Sequence, residues 1–157
     1  MKGTVTHGEF GGLLDAVFSP QAKADFHWKE TDVLGNGAVQ VFTYKVALDH
    51  SQFSIRGSNN RLIKTSFHGL VYIDGATYGV RRLMLEAEGI PRDFPTKSAQ
   101  ITVDYDYVAI TGHDYLMPAT GVMKVVRGKR VELNEMEFRD YKKYGAESSI
   151  RFETPKQ

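Results

Sequence analysis

At 157 residues, with 20 Lys and Arg against 19 Asp and Glu and no cysteine, the chain has the size of one domain around one core, and its net charge of +1 sets up no field that would draw a polyanion. Nucleic acid is therefore not an expected partner. Disulfides, thiolate metal sites and a cysteine nucleophile are excluded. Apolar residues at 41% and charged residues at 25% are globular proportions, and no apolar run approaches the roughly 18 residues of a membrane span. The reading is one soluble domain over 1–157, not membrane-spanning. Residues 1–5 read as a flexible start without an apolar signal core, and the opening would also suit a domain cut from a longer precursor.

Residues 6–24 read as a helical segment. Phe10, Leu13, Leu14, Val17 and Phe18 recur at the i, i+3, i+4, i+7, i+8 spacing that places apolar side chains on one helix face. Thr6 and Glu9 have capping-box spacing, in which hydroxyl and carboxylate satisfy amide donors that the first turn leaves free. Gly11 and Gly12 each weaken the helix by up to ~1 kcal/mol relative to Ala. Ser19-Pro20 ends it and opens a second short turn, because proline is tolerated at a first helical position.

From Asp25 to residue 153 the hydrophobic period is two, and turn signals come at short intervals, the pattern of an antiparallel meander. Strands are predicted near 26–33, 38–47, 52–57, 61–73, 80–88, 98–110, 115–126, 130–141 and 147–153. They are separated by turn chemistry such as Gly35-Asn36-Gly37, Asp74-Gly75 and Gly128-Lys129. Alternation sets Phe42, Tyr44, Val46, Phe67, Val71, Ile73, Leu83, Leu85, Ala87, Ile101, Val103, Tyr105 and Tyr107 on one face. Lys64, Ser66, Arg82, Glu86, Glu88, Gln100, Thr102, Asp104 and Asp106 fall on the other. A sheet with one wet face and one apolar face needs a cover, and the helix is the strongest candidate for it. The expected fold class is thus mainly β (α+β): a curved antiparallel sheet, a half-barrel of about 8–9 strands, wrapped around the N-terminal helix. The link from Ile90 to Thr96, with Pro91 and Pro95, reads as a flap with exposed Ile90 and Phe94.

No short motif with a known mechanism occurs: there is no GxSxG elbow, phosphate loop, HExxH or EF-hand. The five histidines, His7, His27, His50, His68 and His113, stand alone in their segments, so no metal site and no cofactor is expected. His68 reads as a surface or hydrogen-bonded group. Asp104 and Asp106 share a strand face and read as solvated carboxylates opposite Lys or Arg. Arg81-Arg82 reads as solvated charge, and Asp74-Gly75 as a reversing turn. The aromatic residues, eight Tyr, nine Phe and one Trp, either pack the core or line a cavity for an apolar ligand.

The runs Phe67-His68-Gly69-Leu70-Val71-Tyr72-Ile73-Asp74-Gly75-Ala76-Thr77, Val80-Arg81-Arg82-Leu83, Val103-Asp104-Tyr105, Tyr115-Leu116-Met117-Pro118 and Phe138-Arg139-Asp140-Tyr141-Lys142-Lys143-Tyr144-Gly145-Ala146-Glu147-Ser148 resemble the C-terminal domain of a group of uncharacterised exported bacterial proteins. That group is in turn similar to the LolA/LolB and RseB-type, lipoprotein-sorting-like fold. The resemblance implies a half-barrel around helices, a place in the periplasm or cell envelope, and a lipid or lipoprotein as partner. It carries no catalytic residue onto this chain. The turn after Asp74 is expected to form through permissive dihedrals at Gly75 and Gly79.

Three functions follow as expectations. The first is a non-enzymatic envelope domain that binds a hydrophobic ligand, a lipid or an acylated protein, between sheet and helix. Phe10, Leu14, Phe18, Phe42, Tyr44, Leu83, Leu85 and Tyr105 would line that site. The second is an interaction or structural accessory domain with a filled core, offering a sheet edge or the 90–96 loop to another protein or to the upstream part of its own precursor. The third is an enzyme using Asp104, Asp106, His68 and Tyr72.

Overall fold

A computed structural model describes residues 9–56, 60–139 and 151–153 of the chain. Helix α1 (Glu9–Phe18) stops at Ser19, and Pro20 opens a three-residue 3-10 turn, Pro20–Ala22. Strands follow as β1 (Asp25–Leu34), β2 (Gly37–Val46), β3 (Ser54–Arg56), β4 (Leu62–Lys64), β5 (Ser66–Asp74), β6 (Val80–Glu88), β7 (Thr96–Ile110), β8 (His113–Arg127), β9 (Arg130–Arg139) and β10 (Arg151–Glu153). Eight of them form one antiparallel sheet in the order β1-β2-β5-β6-β7-β8-β9-β10, and β3 and β4 pair separately. With β1 and β10 as its two edges, the large sheet does not close into a barrel. Thr6 of the predicted capping box and the flexible start fall on residues outside the described ones, as do the side chain of Glu9 and most of the predicted strand at 147–153.

The predicted strand 52–57 is shorter in the structure, Ser54–Arg56, and the predicted strand 61–73 divides at Thr65. That residue is 2% exposed; its backbone N–H donates to the Phe53 carbonyl at 3.1 Å and its own carbonyl accepts from the Ser51 hydroxyl at 2.5 Å. These bonds hold it in a bend, so Leu62–Lys64 turns away to pair with β3 as a small hairpin. Farther along, β6 pairs with β7 only from Arg82 to Glu86, whereas β7 and β8 pair from Thr96 to Arg127 at one end and from Ile110 to His113 at the other. The tip of the β7–β8 hairpin therefore runs past β6, and Tyr107, expected inside, is 38% exposed.

Tyr107 aside, the predicted inner face is the one observed, while on β2 the opposite face also buries Val39 and Val41. Phe67, Val71, Leu83, Leu85, Ala87, Ile101, Val103 and Tyr105 are buried together with Tyr44 and Val46, while Phe42 and Ile73 are half-buried against them. The cover is broader than one helix. The same cluster takes in Leu13, Ala16 and Val17 of α1, Ala22 of the turn, Phe53 and Ile55 around β3, and Phe94. The helix buries Leu13 (3%) and Val17 (1%), whereas Leu14 is half-buried and Phe18, at the helix end, is 43% exposed. The 90–96 segment is not an exposed flap: Phe94 and Thr96 are both 0% exposed, Ile90 packs against the core, and the Arg61 guanidinium lies over the Phe94 ring at 5.5 Å. A lone aromatic between two prolines reads as a loop in sequence, yet burying a phenylalanine is worth ~1.5–3 kcal/mol and decides the path of the segment.

Candidate functional site

Of the residues expected to line a hollow between sheet and helix, four are packed, and Leu14 and Phe42 are half-buried. Tyr44, Leu83, Leu85 and Tyr105 are brought together on the inner face and keep 1%, 0%, 2% and 3% of their surface. A hollow wide enough for an acyl chain would leave accessible surface on its walls. Phe18 sits at the margin instead, stacked on Phe26 with ring centroids 5.4 Å apart. From there an unbroken aromatic chain runs inward, Phe26 to Tyr44 at 6.2 Å, Tyr44 to Phe67 at 6.1 Å and Phe67 to Phe53 at 5.8 Å, so that Tyr44, Phe67 and Phe53 serve as core. The side chain of Phe10 lies outside the described residues.

A cleft of about 710 Å³ lies against the opposite, open face. Cross-strand register builds it from two adjacent rows. Thr43, Leu70, Met84 and Thr102 form one row across β2, β5, β6 and β7, and Lys45, His68, Glu86 and Gln100 form the next. Glu88 extends the wall along β6, while Asp25 and His27 close it from β1. The floor is apolar, Leu70 beside Met84, and the rim is charged. Tyr44 and Leu85, two of the sequence-predicted site residues, also touch the cleft, although their side chains belong to the inner face.

Beneath the floor the strands approach closely. Gly69 has no room for a side chain, because a Cβ there would lie 1.8 Å from the Met84 carbonyl oxygen. The Tyr44 phenol fills the space beside it and donates to that same carbonyl at 2.8 Å. Burial, and next the neighbouring Tyr105, push the Tyr44 phenol well above the ordinary tyrosine value, so it stays a donor. One bond thus ties β2 to β6 across β5.

The two imidazoles of the cleft lie against carboxylates. His68 stands between two carboxylates, its Nδ1 2.8 Å from Glu88 Oε2 and its Nε2 3.5 Å from Glu86 Oε1. On β1, His27 Nε2 lies 3.2 Å from Asp25 Oδ1. One row beyond the floor, Arg82 forks onto Asp104 at 2.6 and 3.1 Å and lies over the Tyr72 ring at 5.5 Å. The Asp104 carboxylate raises the Arg82 guanidinium above its ordinary value. Arg81 meets Asp74 at 3.2 Å. Arg81 and Arg82 are therefore structural partners of carboxylates rather than solvated charge. Tyr72 and Asp104 share that row through Arg82, whereas His68 lies two rows away, so the residues of the enzyme reading do not converge.

The turn after Asp74 forms as expected, but by other means. The Asp74 carboxylate accepts from the Ala76 and Thr77 amides at 2.8 and 3.0 Å, and these two bonds, with the Arg81 guanidinium, hold its carboxyl below the usual range. The left-handed residue is Tyr78, at φ 64. At Gly79 a Cβ would meet the end of the Leu116 side chain at 2.8 Å and the Tyr107 hydroxyl at 3.1 Å, so these side chains would have to shift to admit one.

Sequence reading missed Leu70, Met84, Lys45 and Glu88 as a constellation. The signal was present in Leu83-Met84-Leu85 and Gly69-Leu70-Val71, where apolar residues occupy places that alternation reserves for the wet face. Among the described residues no group of His, Cys, Asp and Glu is placed to hold a metal ion, and no helix is long and apolar enough to cross a membrane. Neither a family model, nor a curated protein, nor a solved structure matches this chain.

Proposed function

We propose that this domain is a non-enzymatic binding module for an amphipathic ligand carrying an apolar chain, a lipid or the acylated end of a protein, and that the ligand lies in the open-face cleft. The observation that carries the reading is the apolar pair Leu70 and Met84 flooring a cleft of about 710 Å³ whose rim is charged, while Tyr44, Leu83, Leu85 and Tyr105 of the inner face keep 3% or less of their surface. Apolar surface removed from water there contributes ~25 cal/mol per Å², from which the costs of association are subtracted. A cell-envelope or periplasmic setting and the half-barrel form wrapped around α1 belong to the same proposal. Sequence resemblance supports the first, and the burial of Leu13 and Val17 among sheet residues supports the second.

An uncharged single-chain amphiphile, decyl maltoside below its micellar concentration, tests the reading. It should raise the melting temperature with the logarithm of its concentration above the dissociation constant. The double change Leu70→Thr, Met84→Thr keeps strand-forming residues and removes the apolar floor, so it should abolish the shift in a folded protein. A shift that survives in this variant, or no shift in the wild type, would reject the cleft.

A further inference from the structure

Resting on the cleft as the binding site, we propose that its ligand is cationic: an amphiphile whose ammonium head sits on the Glu86 and Glu88 carboxylates while its chain crosses Leu70 and Met84. Asp25, Glu86 and Glu88 face the cleft against one cationic side chain of its lining, Lys45. Lys124 lies farther out, on β8 beyond Gln100. The groups nearest these carboxylates are the imidazoles of His27 and His68. The lining thus holds three carboxylates and two imidazoles against one lysine.

Placement gives the head and chain their order. Glu86 is two residues from Met84 on β6, so the two point to the same face roughly 7 Å apart. Glu88 lies one more step along the same line. An ammonium resting between these two carboxylates would displace His68 as their partner and leave the adjoining apolar row for the chain. An anionic head in the same position would face the Glu86 and Glu88 carboxylates, with Asp25 three strands away on β1 opposite Lys45. Side-chain exposures of 43% and 41% for Glu86 and Glu88 leave both reachable from solvent, and solvent screening keeps the preference moderate.

The test is isothermal titration calorimetry at pH 8, where histidine is generally neutral, with decyltrimethylammonium, decanoate and decyl maltoside, each below its micellar concentration. The cation should bind about tenfold more tightly than decanoate, with the maltoside between them. Glu86→Gln combined with Glu88→Gln should weaken the cation about tenfold and leave the maltoside unchanged. Lys45→Glu, at an exposed position, adds a carboxylate and should strengthen cation binding several-fold without requiring the loss of any pair. Maltoside binding without a preference for the cation over decanoate, or a cation affinity unmoved by both variants, would overturn the charge assignment while leaving the cleft in place. No binding of any of the three would overturn both.

Discussion

Replacing Tyr44 with Phe removes a single oxygen from a side chain that is 1% exposed, and the structure gives the consequence a size. The Met84 carbonyl loses the phenol that donates to it at 2.8 Å. A buried acceptor left without its donor costs ~1–3 kcal/mol. In a domain of this length that lowers the melting temperature by about 2–4 °C per kcal/mol, or about 2–12 °C in all. A second readout separates this bond from general damage. The folded phenol is held above the ordinary tyrosine value by burial and by Tyr105, so the native state keeps a proton that the unfolded chain releases near pH 10. That contribution to stability is complete below pH ~10 and is lost as pH rises further. Melting temperatures of wild type and Tyr44→Phe, measured from pH 7 to pH 11, should therefore converge on the alkaline side. Equal melting temperatures at pH 7, or parallel curves throughout, would refute the reasoning.

Other substitutions probe the core and the turn. Leu83→Ala, at a fully buried position, should cost ~2–5 kcal/mol in urea unfolding, and Leu85→Trp should destabilise by ~1–3 kcal/mol through overpacking; a tolerated tryptophan would show that the inner face holds a hollow. Phe94→Ala should cost ~3–5 kcal/mol because that ring belongs to the core, and an unchanged unfolding midpoint would return the 90–96 segment to the surface. The Asp74 carboxyl is held below its usual value by the Ala76 and Thr77 amides and by Arg81, so its contribution is present above the ordinary carboxylate range and is lost as pH falls below about 4. Asp74→Asn should flatten this part of the acid limb in a melting-temperature profile, and an acid limb identical to wild type would show that the turn does not depend on the charge.

The sheet was largely legible because its information is local. Alternation in β5, β6 and β7 assigns faces residue by residue, and Gly-Asn-Gly or Gly-Lys turns mark the strand ends. What sequence reading lost depends on contacts distant in the chain. Thr65 leaves the ladder because Ser51 and Phe53 bind its backbone, and Phe94 turns inward because a site for it exists under Arg61. The helix pattern located α1 but spread its apolar face too widely: Leu13 and Val17 enter the core, whereas Phe18 finds Phe26 at the margin. The cleft was hidden for a different reason. Its members are distant in the chain and come from β1, β2, β5, β6 and β7, so only the register places Lys45, His68 and Glu86 in one row. The inner-face residues had the stronger apolar signal, and that strength marked core.

The account stands on the ligand occupying the open face, and methyl-resolved NMR reads this directly. With decyl maltoside added to protein labelled at Met, Leu and Val methyl groups, the Met84 and Leu70 methyls should shift and show nuclear Overhauser effects to the alkyl chain, while those of Val17, Leu83 and Val103 stay unchanged. Contacts from the chain to Val17, Leu83 and Val103, with Met84 and Leu70 unmoved, would place the ligand between sheet and helix and contradict the account.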